Sequence, residues 1–263
     1  MTAVPLTFSQ GQTMNVSDRV AIVTGSGSGI GKEILGRLVR HGARGVAVDI
    51  DADAAHRSAQ ELCDAGGTAI ALQCDCTNKV AVATMVEQTT DHFGKIDILV
   101  NNVGIVRDNY LTKMPEADWD AVLNVNLKTY FLCSQAVVPG MIHAKYGRIV
   151  NISSRSWLGN AGQANYSAAK GGVVSLTRVM ALELGKFNIT SNCIAPGVID
   201  TPLIRGLRAD VQQRLAQVQP TSRFGTPAEV AYAAHFFASD EAWYTTGQVL
   251  HVCGGKSVGT YGH

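Results

Sequence analysis

Short, nearly continuous apolar runs alternate with helix-like stretches along most of the chain. The runs cover residues 19–25, 45–50, 68–75, 96–102, 147–154, 189–197 and 248–255. Between the first two, residues 30–41 place Ile30, Ile34 and Leu38 at helical spacing, and Gly42 follows as a stop signal. Strands that are apolar on both faces and separated by helices are typical of a parallel sheet covered on both sides. The pattern predicts an α/β fold with one doubly wound parallel sheet and helices on both faces.

The chain length of 263 residues suits a single domain with one large core. Residues 1–18 show neither pattern, so we expect a flexible N-terminal arm followed by one domain over residues 19–263. Within that domain, residues 202–225 mix Leu, Ile and Val with several arginines, and we expect this segment to cover a substrate. In an open parallel sheet, ligands bind beyond the carboxyl ends of the strands, so the residues just after each strand are the first functional candidates.

Charge and composition narrow the class of partner. The 22 basic and 21 acidic residues give a formal charge of +1, which offers no electrostatic reason to bind nucleic acid or anionic lipid. No apolar run reaches the length of about 18 residues that a membrane helix requires, and the first residues lack the pattern of a secretory signal. The six cysteines do not form the paired spacing of a zinc site. We therefore expect a cytoplasmic protein with reduced cysteines, no metal and a small-molecule partner.

A glycine-rich turn, TGSGSGIG (24–31), follows the first strand and opens the first helix. Glycines allow a sharp turn and a close approach to a pyrophosphate, and a helix N-terminus directs unpaired N–H groups at the negative charge. A purely structural turn would use the same residues. The position between strand and helix favours dinucleotide binding.

Asp49 ends the second strand, about twenty residues after the turn. A carboxylate there accepts hydrogen bonds from the adenosine ribose hydroxyls and repels a 2′-phosphate. Position 50 is Ile, and neither Ser26 nor Ser28 could neutralise such a phosphate. The sequence therefore predicts NAD rather than NADP, with the alternative that Asp49 merely caps the helix that begins near residue 51.

Tyr166 and Lys170 stand four residues apart in QANYSAAKGG, so they share one face of a helix. A neighbouring cation favours the phenolate, which would bring the tyrosine pKa toward neutrality and suit acid–base chemistry on an alcohol or carbonyl. Ser153 and Ser154 end a strand shortly before, where a hydroxyl could bind a carbonyl oxygen. Asn126 lies in an otherwise apolar helix, where it is either a tolerated, solvated polar residue or one with a satisfied internal role.

Taken in order, these motifs resemble the short-chain dehydrogenase/reductase family, and within it the β-ketoacyl-carrier-protein reductases. The likeness runs from about Asp18 to Gly255 and includes TGSGSGIG, NNVG (101–104), Asn126, NISS, YSAAK and IAPGVIDT (194–201). It implies a Rossmann-type fold, with Tyr166 as catalytic acid/base, Lys170 on the nicotinamide ribose, a serine on the substrate oxygen and Asn126 keeping a proton-relaying water. The cofactor-binding residues it implies are Gly25, Ser28, Gly29, Ile30, Gly31, Asp49, Asp75, Cys76, Asn102, Gly104, Tyr166, Lys170, Pro196, Gly197, Ile199 and Thr201.

The chain departs from the family pattern in two places. Val103 replaces the usual alanine of the NNVG turn and would crowd the adenosine side slightly. Counting back thirteen residues from Tyr166 reaches Ser153, whereas reading forward along the strand puts the catalytic position at Ser154. Loops absorb deletions more easily than strands shift register, so we assign Ser154.

The substrate is open to two interpretations. The apolar content of residues 202–225, with Trp157 nearby, favours a hydrophobic alicyclic or aromatic secondary alcohol interconverted with its ketone. The alternative is a 3-oxoacyl thioester, for which Lys145 and Lys186 could dock a carrier protein, although such reductases more often use NADPH. A rival from another class is a non-catalytic nucleotide-sensing protein, which would usually lack the tyrosine or the lysine. The family resemblance also implies a homotetramer.

Overall fold

The structure, a computed structural model, describes residues 14–258, which form one seven-stranded parallel sheet with helices on both faces. The strand order is β3-β2-β1-β4-β5-β6-β7. The strands are β1 (Val20–Thr24), β2 (Arg44–Asp49), β3 (Thr68–Gln73), β4 (Ile98–Asn101), β5 (Gly147–Ile152), β6 (Ile189–Pro196) and β7 (Val249–Val252). The helices are α1 (Gly29–Arg40), α2 (Ala52–Asp64), α3 (Lys79–Phe93), α4 (Glu116–Leu123), α5 (Thr129–Ala144), α6 (Ala164–Leu184), α7 (Pro202–Arg205), α8 (Ala209–Gln217) and α9 (Pro227–Ala238). The predicted Rossmann-type sheet is confirmed.

The apolar runs become strands because both faces of the central sheet are covered. Every residue of β1, β4, β5 and β6 is buried. Successive side chains of a strand point to opposite faces. In β1, Ala21 and Val23 therefore join the core under α1 and α9, while Val20 and Ile22 join the core under α3, α5 and α6.

The direction in which successive strands are added to the sheet reverses at β1: β2 and β3 lie on one side of it, and β4 to β7 lie on the other. β1 pairs with β2 on one side and with β4 on the other, so the crossovers on the two sides leave a crevice at the carboxyl edge. The turn after β1 and the segments after β2, β3 and β4 all meet at this crevice. The topology thereby brings together the residues that the sequence singled out after each strand.

A π-helical turn, Asn124–Lys128, joins α4 to α5 in what the sequence presents as one continuous apolar helix. Asn126 lies in this turn and is completely buried. A π-turn inserts an extra residue into the helical repeat and commonly occurs at functional sites. The side chains after this turn therefore point in a different direction from the one that a continuous α-helix would give them.

The expected N-terminal arm, residues 1–18, lies mostly outside the described residues. Its described end is packed rather than loose, because Val16 is fully buried and the Asn15 main chain donates to Glu241 at 2.8 Å. Residues 202–225 contain the short helix α7 and the amphipathic helix α8. Within the described part of the chain, no helix is long and apolar enough to cross a bilayer.

Candidate active site

The glycine-rich turn leaves the N-terminus of α1 uncapped. The helix begins at Gly29, its N-cap Ser28 makes no side-chain capping bond, and its first turn carries no acidic residue. Gly25 and Gly29 adopt φ values of 64° and 56°, a left-handed conformation that favours glycine. A Cβ on Gly31 would lie 2.2 Å from the carbonyl oxygen of Gly25. The first N–H groups of the helix are therefore free to bind an anion, and only glycine allows this close packing.

A cleft of about 500 Å³ opens beside this turn. Of the predicted cofactor residues, its lining includes Gly25, Ser28, Gly29, Ile30, Asp49, Asp75, Cys76, Asn102, Gly104 and Thr201. Ile50, Cys74, Thr77, Val103, Ile105, Val125, Thr129 and Pro202 complete the lining. No Lys or Arg occurs among these lining residues.

The remaining predicted cofactor residues do not line this cleft. Gly31 packs against the glycine turn, and a Cβ on Gly197 would lie 2.8 Å from the backbone of Cys253. Pro196 ends the buried strand β6, and Ile199 is 5% exposed. Tyr166 and Lys170 likewise lie outside the lining of the cleft. The structure therefore brings the predicted adenosine and pyrophosphate residues together, whereas the residues predicted at the nicotinamide end remain proposals.

Asp49 is held in the lining of the cleft by two main-chain donors. The N–H of Gly27 lies 2.9 Å from Oδ2, and the N–H of Asp51 lies 3.1 Å from Oδ1. The cap of α2 is a different residue, because the Asp51 side chain accepts from the N–H of Ala54 at 3.1 Å. Asp49 therefore does not serve as the helix cap that the alternative required.

The residues after β3 and β4 shape the opposite wall. Asn102 donates from Nδ2 to the carbonyl oxygens of Thr24 and Gly25, both at 3.1 Å, and so ties the end of β4 to the glycine turn. Asp75 accepts from the N–H and the hydroxyl of Thr77. These contacts define a polar rim on this side of the cleft.

Ser153 and Ser154 face in different directions beyond β5. Ser153 is 3% exposed, and its hydroxyl donates to the main-chain oxygen of Lys170 at 2.8 Å. Ser154 caps the short 3₁₀ helix Arg155–Leu158, and its hydroxyl oxygen accepts from the N–H of Ser156 at 3.1 Å. Hydrogen bonding by Ser154 also lowers the pKa of Tyr166. The side chain beside the phenol is therefore that of Ser154.

The pKa of Tyr166 lies above its ordinary value, contrary to the expectation that Lys170 lowers it. Burial raises it most, Ser154 lowers it, and the Asp108 carboxylate raises it. Nζ of Lys170 lies 5.8 Å from the centre of the Tyr166 ring, but its hydrogen bonds go to Tyr130 and Ile152. In this arrangement the phenol remains protonated at neutral pH and is ready to act as an acid.

Lys170 is itself strongly affected by burial. Its side chain is 2% exposed, and desolvation lowers its pKa to about 7. Nζ donates to the hydroxyl of Tyr130 at 3.0 Å and to the main-chain oxygen of Ile152 at 2.9 Å. The sequence reasoning did not single out Tyr130. Its spacing of four residues from Asn126 and its phenol in an apolar helix were the available signals.

Asn126 ties the π-helical turn to the loop that follows β4. Its Oδ1 accepts from the N–H of Ile105 at 2.7 Å, and its Nδ2 donates to the oxygen of the same residue at 2.8 Å. Both ends of the side chain are engaged, which confirms the satisfied internal role. The proton-relaying water implied by the resemblance remains a proposal.

The basic residues considered for substrate docking are placed differently from expectation. Lys145 and Lys186 precede β5 and β6, so they lie at the amino edge of the sheet, opposite the cleft. In the segment 202–225 and beside it, arginines form ion pairs with nearby carboxylates. These pairs are Arg205–Asp200, Arg208–Asp210 and Arg223–Glu229. The segment therefore offers less free positive charge than its composition indicates.

Comparison with known proteins agrees with this geometry. A family model described as enoyl-(acyl carrier protein) reductase matches residues 25–257. The (2S)-[(R)-hydroxy(phenyl)methyl]succinyl-CoA dehydrogenase subunit BbsD of Thauera aromatica is 50% identical over 245 residues, 93% of this chain and 99% of that protein. A 3-oxoacyl-[acyl-carrier-protein] reductase of Vibrio cholerae is 43% identical over 92% of this chain and 98% of its own length. The crystal structure of levodione reductase matches with a TM-score of 0.89 at 33% identity, over 92% of this chain and 98% of that one.

The fold and the cleft define an oxidoreductase of the class that uses a nicotinamide cofactor. The chain belongs to the short-chain dehydrogenase/reductase family, and within it to the branch that resembles the 3-oxoacyl-carrier-protein reductases.

The two neighbouring serines allow a matched test. We expect Ser154→Ala to lower kcat by about 10²–10³-fold, the usual effect of losing one donor to a reacting oxygen. Ser153→Ala should leave kcat within a few-fold and lower the free energy of unfolding by about 1 kcal/mol, because it loses a buried hydrogen bond. Steady-state kinetics of both variants measure kcat, and urea unfolding measures the free energy of unfolding. A reversed pattern would assign the catalytic role to Ser153.

The buried lysine predicts a pH-dependent stability. Its pKa is lowered in the folded state, from 10.5 to about 7. Burying the charged amine therefore lowers the free energy of unfolding by its full amount below about pH 7. This loss becomes smaller as the pH rises toward 10.5. Relative to Lys170→Met, the wild type should gain roughly 2–3 kcal/mol of unfolding free energy between about pH 6 and pH 9. The exposed Lys186→Met variant is the control and should track the wild type; equal pH dependence of all three proteins contradicts the prediction.

Proposed function

We propose that this protein is an NAD-dependent dehydrogenase that interconverts a secondary alcohol and its ketone, with the reacting carbon β to an acyl thioester. The observation that carries the proposal is the grouping of Ser154, Tyr166 and Lys170 near the carboxyl edge of the sheet, the same edge at which the cleft opens. A hydroxyl that binds the substrate oxygen, a protonated phenol and a nearby amine suit an alcohol–ketone interconversion.

The side chains divide the chemistry between them. The Ser154 hydroxyl would bind the substrate oxygen and orient it toward the phenol. Tyr166 would donate its proton to the carbonyl oxygen on reduction and accept it on oxidation. The raised pKa of Tyr166 favours the protonated phenol that reduction needs. When bound, NAD supplies the hydride acceptor for oxidation, and NADH supplies the hydride donor for reduction.

Residues of the cleft would hold the cofactor. The free N–H groups at the start of α1 suit the pyrophosphate, and Asp49 suits the ribose hydroxyls of the adenosine. Lys170 would reach the nicotinamide ribose. The absence of Lys and Arg from the described lining favours NAD over NADP.

The substrate class combines the two interpretations of the sequence. The name of the Thauera aromatica relative describes a secondary alcohol bearing a phenyl group on an acyl-CoA thioester. The Vibrio cholerae relative is named for a 3-oxoacyl thioester. A substrate with a hydrophobic group on the alcohol carbon and a thioester two carbons away is consistent with both names. Its hydrophobic group would also suit the apolar residues of the segment 202–225. We therefore place an aryl or alicyclic 3-hydroxyacyl thioester before a simple alcohol.

A substrate panel tests the proposal. Purified protein would be mixed with NAD and 3-hydroxy-3-phenylpropionyl-CoA, its free acid, 1-phenylethanol or cyclohexanol, and the formation of NADH would be followed. We expect kcat/KM for the CoA ester to exceed that of the free acid and the alcohols by at least about 10²-fold, since remote binding energy lowers the barrier to reaction. Equal rates with 1-phenylethanol would favour a plain alcohol dehydrogenase, and no NADH with any substrate would contradict the proposal. Repeating the assay with the same acyl group on a carrier protein shows whether the protein prefers a CoA thioester or a carrier-protein thioester.

We also propose a cytoplasmic homotetramer. All six cysteines are free, and five of them are buried, which suits a reducing compartment. The tetramer rests on the family resemblance.

A further inference from the structure

Tyr130 lies fully buried behind Lys170, and the proposed chemistry assigns it no role. It stands in the first turn of α5 and is 0% exposed. Its hydroxyl donates to the main-chain oxygen of Ile152 at 2.8 Å and accepts from Nζ of Lys170 at 3.0 Å. Nζ also donates to the same Ile152 oxygen at 2.9 Å. The three atoms form a closed triangle of hydrogen bonds.

This triangle fixes the end of a side chain that is otherwise flexible. A lysine has four carbons between its backbone and its ammonium and loses much conformational freedom when it is held in one place. Two of its three donors are used by Tyr130 and Ile152, which leaves one for a ligand. A Cβ on Gly104 would lie 3.5 Å from Nζ, so the ammonium adjoins a residue that lines the cofactor cleft.

We propose that Tyr130 is a positioning residue that holds the ammonium of Lys170 at the edge of the cofactor cleft and stabilises its charge. This inference rests on the proposed function, in which Lys170 contacts the cofactor. Tyr130 would act through Lys170 and would not touch the substrate or the reacting atoms. Its ring adds a further favourable contact, because Nζ lies 4.9 Å from the ring centre.

The groups around Lys170 make Tyr130 its principal side-chain acceptor. Tyr166 faces it from the same helix, and Cys193 faces it from β6. Burial raises the pKa of Cys193 to about 11, so this thiol is neutral near pH 7. Burial also raises the pKa of Tyr130, which keeps its hydroxyl protonated. The charge of Lys170 therefore depends on a hydroxyl and a main-chain oxygen and not on a nearby carboxylate.

NADH binding as a function of pH tests this role without any substrate. The cationic form of Lys170 should bind the anionic cofactor more tightly, so the affinity should fall as the pH rises through the pKa of Lys170. In Tyr130→Phe, the ammonium loses one hydrogen bond, and the midpoint of this fall should move down by about one pH unit. The dissociation constant would be measured by NADH fluorescence between about pH 5.5 and pH 9.

Tyr146→Phe is the matched control. Tyr146 also has a partly buried hydroxyl, which donates to Asp240 at 2.6 Å, but it precedes β5 at the amino edge of the sheet. Its loss should lower stability and leave the binding midpoint unchanged. An unchanged midpoint in Tyr130→Phe overturns the inference about Tyr130 alone. Failure of the wild type to bind NADH at any pH overturns the proposed function itself.

A double-mutant cycle separates positioning from general packing. In the Lys170→Met background, Tyr130→Phe should change the NADH dissociation constant by less than about twofold, because its partner is gone. An undiminished effect there would show that the phenol acts through packing and would overturn the inference. If the Phe variant does not fold, 3-fluorotyrosine at position 130 keeps the ring and weakens the hydroxyl as an acceptor. A smaller downward shift of the midpoint then supports the inference, and no shift overturns it.

Discussion

Replacing Tyr166 by Phe should lower kcat by about 10²–10⁴-fold and leave the dissociation constant of NADH within about threefold of the wild type. The substitution removes one oxygen atom and keeps the ring, so the packing of α6 is preserved. The variant lacks the proposed proton donor, the Tyr166 hydroxyl. The hydrogen bond from Ser154 lowers the pKa of this hydroxyl and so opposes the effect of burial. Steady-state kinetics in both directions, with fluorescence titration of NADH, measure the two quantities separately.

Tyr232→Phe provides the control for this prediction. Tyr232 is 54% exposed on α9, where its ring contacts the guanidinium of Arg37. The loss of its hydroxyl should leave both kcat and NADH binding unchanged. Turnover of Tyr166→Phe within tenfold of the wild type would exclude Tyr166 as the acid/base. A parallel loss of NADH binding would indicate instead a damaged cofactor cleft.

The wild type should bind NAD about a thousandfold more tightly than NADP. Two like charges about 4 Å apart repel by about 4 kcal/mol at an effective dielectric constant of about 20, and 1.4 kcal/mol corresponds to a factor of about ten. The Asp49 carboxylate is fixed by the N–H groups of Gly27 and Asp51, so it cannot easily swing away from a 2′-phosphate. Asp49→Asn removes the charge and keeps an acceptor oxygen, and it should reduce the preference to within about tenfold. Isothermal titration with both cofactors measures the ratio.

The neighbouring carboxylate supplies the control for the cofactor experiment. Asp51 caps α2 and does not line the cleft. Asparagine is an equally good N-cap, so Asp51→Asn should retain both the fold and the preference for NAD. A wild-type protein that binds NADP as tightly as NAD would refute the assignment of Asp49. A loss of preference in Asp51→Asn would point to general charge around the cleft rather than to one carboxylate.

Several features of the site follow from local rules, and these the sequence could predict. The uncapped start of α1 and the left-handed Gly25 and Gly29 follow from the order of strand, glycine turn and helix. The separation of Ser153 from Ser154 follows from the alternation of side chains at the end of β5. In each case the backbone conformation or the side-chain direction is set by residues within a few positions along the chain, although the partners of the two serines, Lys170 and Tyr166, lie on α6.

Other features depend on contacts between distant parts of the chain, and here expectation and structure differ. The sequence predicts that Lys170 lowers the pKa of Tyr166, because it shows that the two share a helical face. It does not show that burial raises that pKa or that Tyr130 and Ile152 hold the ammonium. Likewise, the arginines of the segment 202–225 look free in the sequence, whereas several are paired in the structure.

By itself, the sequence determined the doubly wound sheet, the glycine turn and the approximate positions of the chemical groups at the ends of the strands. Hydrophobic periodicity and turn chemistry are local properties, so they can be recognised along the chain. Only the tertiary structure decided which partner each polar atom of the site finds and how much water surrounds it. Hydrogen bonding and desolvation are set by residues far apart in sequence, as Tyr130 and Lys170 show, and these two effects determine the protonation of the site.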